Sequence, residues 1–160
     1  MSSMGHDIGA LLLPVVGFKS QAITAGGTGD GSAWNGEVID LLPSTVGGRF
    51  NAASVMVATN ATLASGNSIT LSVLVQDSAN NSDWSTLVAA TPVAARTATG
   101  GAFTNGALAG RMNVNLSQAR RYIRPVVTTT LSATQTDTCI VYGLVALANP
   151  DRAPVANPGV

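Results

Sequence analysis

Charge is what this chain has least of. Only 10% of its residues are Asp, Glu, Lys or Arg, against roughly 25% in an ordinary soluble domain. Eight basic residues balance eight acidic ones. With no positive excess to hold a phosphate backbone, nucleic acid is not an expected partner. Cys139 is the single cysteine, which excludes an internal disulfide and fits folding in a reducing host cytoplasm. His6 is the single histidine. A Ser-His-Asp triad needs an imidazole held by packing, and zinc needs more than one histidine and one distant cysteine. Paired carboxylates for glycoside hydrolysis have no other catalytic signature beside them. The expectation is no enzyme, no cofactor and no metal. The apolar run "ALLLPVVGF" follows Asp7 and is broken by Pro14 and Gly17, so neither a signal peptide nor a membrane span is expected.

What is abundant is Ala, Thr, Gly, Val, Ser and Asn, a composition suited to short strands and many turns. No window sustains a helical apolar stripe; "VNLSQARRY" comes nearest and covers barely two turns. Alternation with a period of two recurs instead. In "SITLSVLVQ", Ile69, Leu71, Val73 and Val75 share one face, and Ser68, Thr70, Ser72 and Gln76 the other. "RMNVNL" alternates in the same way, and "NAASVMVAT", "EVIDLL", "DWSTLVAA", "YIRPVVTTTL" and "TCIVYGLVAL" complete a set of about seven strands. Strands of this number, separated by Gly, Asn and Ser clusters, predict an all-β fold: an antiparallel, jelly-roll-like sandwich.

Three regions fall outside that pattern and set the expected organisation. Residues 1–32 read as an N-terminal arm ending in the Gly-rich hinge "TAGGTGDGS", residues 33–148 as the sandwich, and residues 149–160 as a Pro-rich tail. The small-residue stretch Thr91 to Gly110 reads as a long loop that contacts a neighbouring subunit or partner, with Phe103 as its one large anchor there. An extended arm would put Leu11, Leu13 and Val15 on one side, ready to fill pockets on a neighbouring sheet edge; the alternative is one more strand of the chain's own sandwich.

Two constellations invite a functional reading. "QDSANNSDW" offers Asp77, Asn81 and Asp83 as oxygen ligands, but too few for calcium; a polar hairpin loop whose Asp and Asn side chains bond their own backbone is the better account. Trp84 closes that loop and is expected to pack over the sandwich edge, as is Trp34; the alternative for both is a stacking platform for a sugar. In "RRYIRPVV", Arg120, Arg121 and Arg124 gather round Tyr122. They either pair locally with Asp77, Asp83 or Asp137, or present donors to carboxylates on a protein partner. Pro125 marks an edge position or a bulge.

"TCIVYGLVALA" is apolar on both faces: Cys139, Val141, Val145 and Leu147 on one, Ile140, Tyr142, Leu144 and Ala146 on the other. A small sandwich covers only one face of each sheet, so the second needs an arm, a loop or another subunit. This predicts a homo-oligomer, a trimer ahead of a dimer.

From Trp34 to Pro150, the order "WNGEVIDLLP", "ITLSVLVQDSANNSDWSTL" and "RRYIRPVVTTTLSATQTDTCIVYGLVAL" resembles the small head proteins of tailed bacteriophages that act as decoration, or cement, proteins. That resemblance implies a jelly roll on the capsid exterior that clamps neighbouring major capsid proteins, and no catalytic residues. A carbohydrate-binding β-sandwich on a virion or other surface is the alternative.

Overall fold

The period-two runs become strands in a computed structural model that describes residues 12–42, 49–132 and 136–150, the side chains of 149 and 150 excepted. In chain order they are β1 (Leu12–Thr24), β2 (Ala33–Asn35), β3 (Ile39–Asp40), β4 (Phe50–Leu63), β5 (Ser68–Ser78), β6 (Ser85–Thr97), β7 (Phe103–Asn115), β8 (Tyr122–Leu131) and β9 (Thr138–Pro150). Among the described residues there is no helix.

The pairing is nested. β5 pairs β6, β4 pairs β7, β2 and β3 pair β8, and β1 pairs β9, all antiparallel. This is one long hairpin, bent at β5–β6 and rolled up, and two further pairings join the turns of the roll: β4 with β9 and β5 with β8. The result is two sheets, β1-β9-β4-β7 and β2-β8-β5-β6, the arrangement of a jelly roll. The core lies between them. Ile69, Leu71, Val73 and Val75 of β5 face Val55, Val57, Val141 and Val145 across the sandwich, all fully buried. Each such side chain contributes roughly 1.5–3 kcal/mol.

Four expectations are corrected. The arm is a strand from Leu12 to Thr24, running along β9 from Leu12↔Ala148 to Thr24↔Thr138. Pro14 sits in it because β1 is an edge strand, where a missing N–H costs little. Leu13 and Val15 stand opposite Leu147 and Val145 and pack on the chain's own core; Leu11 lies outside the described residues. The Gly-rich hinge is an ordered turn. Asp30 accepts from the Gly26 amide at 2.8 Å and from the Leu131 amide of β8 at 2.9 Å, and Gly26, Gly29 and Gly31 supply the positive φ angles the turn requires. The presumed loop Thr91 to Gly110 is most of β6 and β7, joined by a short turn at Gly100 and Gly101. As edge strands of opposite sheets they are half-exposed, so their sequence shows little contrast. The expected tail from 149 overlaps β9, which runs to Pro150; residues 151–160 lie outside the description.

Glycines close both sides of the roll. At one side Gly36 donates to the Pro125 carbonyl and Glu37 to the Gly17 carbonyl, both at 2.8 Å. A Cβ at Gly36 would overlap the Gly17 oxygen and come within 2.9 Å of Pro125. At the other side a Cβ at Gly110 would strike the Val93 carbonyl of β6. Gly36→Ala is therefore expected to lower stability by about 1–3 kcal/mol. The readout is a lower urea midpoint with an unchanged m-value; an unmoved midpoint would show that the β1–β2 closure is loose.

Candidate functional site

The arginine cluster is built by β8 and the turn before it, and the chain satisfies it from within. The Arg120 amide donates to Asp77 Oδ2 at 2.8 Å, and its guanidinium lies 3.7 Å from the same oxygen and donates to Ser85. Arg121 grips both oxygens of Asp40, the shortest contact being 2.8 Å, and lies 5.0 Å over the Tyr122 ring. Arg124 donates to Gln76 at 2.8 Å and covers the Trp84 ring at 4.3 Å. Local pairing is thus the outcome, with Asp77 among the expected partners. Asp83 instead accepts from Asn80, and Asp137 from the Ala64 amide. Asp40 was missed because it is 81 residues from Arg121.

The other candidates are also occupied. Asn80, rather than Asn81, organises the "QDSANNSDW" turn by accepting from the Ser82 and Asp83 amides. Asn81 takes the left-handed conformation at φ 62°. Among the described residues no three His, Cys, Asp or Glu side chains converge as metal ligands. Trp34 lies against Phe18, ring centroids 5.7 Å apart. Phe103 folds over Gly106 and beneath the Arg96 guanidinium, 5.2 Å away. Its contacts therefore lie within its own chain, between the edge strands β6 and β7.

What remains uncovered is the outer face of the four-stranded sheet. The inner residues of β9 are buried as the alternation predicts, while Ile140, Tyr142 and Leu144 are 49%, 41% and 41% exposed. The register shows what surrounds them. One row across the sheet reads Val16, Leu144, Met56, Arg111. Beside it run Tyr142, Ala58, Ala109 on one side and Pro14, Ala146, Ser54, Asn113 on the other. Leu12, Ala148, Ala52, Asn115 and Ala22, Ile140, Asn60, Ala107 form the outermost rows. The first two rows line a shallow groove of about 580 Å³. Small residues elsewhere keep the face flat enough for another protein layer to approach. The opposite sheet turns a different face outward: Thr70 beside Thr130, Ser72 beside Thr128 and Gln76 beside Arg124, with Leu74 and Val126 as one apolar pair. The same chain therefore builds a polar outer face on one sheet and an apolar one on the other.

The two-sided pattern of "TCIVYGLVALA" disclosed Ile140 to Leu144. It did not disclose Val16, Met56 or Arg111, which join the face only through pairing between strands far apart in sequence.

No family model matches the chain, and no curated protein sequence matches it. Among solved structures it is similar to the VP2 subviral particle protein of infectious bursal disease virus, with a TM-score of 0.48, 11% identity, 87% of this chain covered and 32% of that one. It is also similar to the PBSX exported protein XepA, with a TM-score of 0.46, 17% identity, 92% of this chain covered and 41% of that one. A weaker likeness, with a TM-score of 0.33 and 10% identity, covers 61% of this chain and 17% of a Clostridium thermocellum xylanase 10B fragment, CBM22-1 with GH10, complexed with xylohexaose. The chain spans less than half the length of each. At these identities the likeness is one of β architecture.

The Arg121–Asp40 pair gives a pH dependence. Hydrogen bonds from Arg121 hold the Asp40 carboxyl below its ordinary 3.8; partial burial works against them and the Leu42 amide adds to them. A carboxyl lowered by folding stabilises the protein fully above its unfolded value, and that contribution is lost as pH falls through the folded value. Asp40→Asn should therefore destabilise the protein at neutral pH and flatten the loss of stability below pH 3.8. Parallel denaturation profiles for the two proteins would assign the acid sensitivity elsewhere.

Proposed function

We propose that this chain is a structural virion protein, without enzymatic activity, that binds the exterior of a tailed-phage capsid. On this reading it stabilises the shell by clamping neighbouring major capsid proteins. The observation that supports it best is the uncovered apolar face around Val16, Met56, Tyr142 and Leu144. Large exposed apolar patches mark surfaces that are covered in use. The sequence resemblance to small phage head proteins points the same way. Neighbouring copies on the lattice form a homo-oligomer, a trimer ahead of a dimer.

A sugar-binding role has less support. Arg124 lies over one face of the Trp84 ring and Phe18 lies tilted against Trp34, so each tryptophan already has a partner within the chain.

The test uses shells of the encoding phage stripped of this chain. The purified protein should co-sediment with them and raise the temperature at which they rupture. Ligand that binds intact sites alone adds about 2.7 kcal/mol per site at a hundredfold excess over Kd. Retention on glycan columns with no co-sedimentation would replace this function with the carbohydrate-binding one.

A further inference from the structure

Arg111 is the one charged residue in the five rows of the outer face. It is also the one cation, among the described residues, whose side chain has no hydrogen bond, ion pair or ring contact. Lys19 pairs with Glu37 at 3.1 Å, Arg49 donates to the Leu116 and Ala119 carbonyls, and Arg96 covers Phe103. The three arginines of the cluster are engaged as described above. In a chain that pairs its few charges so consistently, an unpaired guanidinium beside Met56 and Leu144 marks a place where the chain itself supplies no anion.

We infer that this face docks a different protein whose surface is apolar and carries a carboxylate placed to pair with Arg111. The inference rests on the virion reading, which makes a capsid protein the source of that surface. A second copy stacked face to face has the wrong chemistry. The five rows contain no Asp or Glu, so an isologous stack would place two guanidiniums between apolar layers with no anion in either. Burying a charge unpaired is strongly unfavourable, whereas a charge that meets its counterion with good hydrogen bonding is tolerated. The described carboxylates are also in use: Asp30, Glu37, Asp40, Asp77, Asp83 and Asp137 each accept from the chain's own groups. Contacts between copies then run through other surfaces.

The experiment measures binding of the full chain to stripped shells of the encoding phage, with sedimentation of the chain alone in parallel. Arg111→Glu is expected to weaken shell binding by at least about thirtyfold, since breaking a desolvated charge pair is costly. Arg111→Lys keeps the charge without the planar fork and should lose less. Leu144→Ser should weaken binding through the apolar part of the contact. Thr130→Glu, a new charge at an exposed position on the other sheet, should leave binding unchanged. Arg111 and Leu144 are exposed, so cooperative melting at the wild-type temperature is expected of both variants and confirms that the fold is intact. Wild-type binding with equal binding by Arg111→Glu overturns this inference and leaves the virion reading standing. Absence of wild-type binding overturns the virion reading and the inference with it. Self-association of the isolated chain that Arg111→Glu or Leu144→Ser abolishes would mean that a second copy covers the face, which also overturns the inference.

Discussion

A two-layer sandwich can cover only one face of each sheet, and β9 is apolar on both. That constraint organises the rest of the molecule. β9 is the interior strand between β1 and β4, and its inner residues, Val141, Val145 and Leu147 among them, are held in the core. Its outer residues, Ile140, Tyr142 and Leu144, are fixed by the same backbone ladder that fixes the inner ones. A one-residue slip would exchange the two sets, but it would also misalign every neighbour in the row. The exposed apolar face is thus as rigidly specified as the core.

The polar economy of the chain reinforces this. With so few charges, nearly every one described is consumed in place: Asp30 pins a glycine turn to β8, Asp77 holds Arg120, and Asp40 holds Arg121. These contacts tie loops and short strands to the sandwich and leave the outer face of the four-stranded sheet largely without charge. Arg111 stands out against that background, which is why one side chain carries so much of the argument about the partner.

The interior of the fold was legible in the sequence because interior strands show contrast. "SITLSVLVQ" and "TCIVYGLVAL" became β5 and β9 with the faces their alternation assigns. Edge strands did not show it. β1 contains Pro14 and a bulge near Gly17 and reads as an arm, while the adjoining halves of β6 and β7, half-exposed runs of Ala, Thr and Gly, read as a loop, although "DWSTLVAA" and "RMNVNL" mark their other halves as strands. Of the candidate sites, the arginine cluster was visible but its partners were not, because Asp40 and Gln76 reach it only through sheet pairing. The exposed apolar face was half visible for the same reason. A strand announces its own two faces, but register alone decides which residues of distant strands lie beside them.

The central claim is that the outer face of the β1-β9-β4-β7 sheet is the surface covered in use. A cryo-EM reconstruction of shells carrying this chain tests it most directly. The account predicts that the face around Val16, Met56, Tyr142 and Leu144 lies against a capsid protein, with a carboxylate of that protein within hydrogen-bonding distance of Arg111. A map in which this face points to solvent, while the Thr- and Ser-rich face of the other sheet meets the shell, would contradict it.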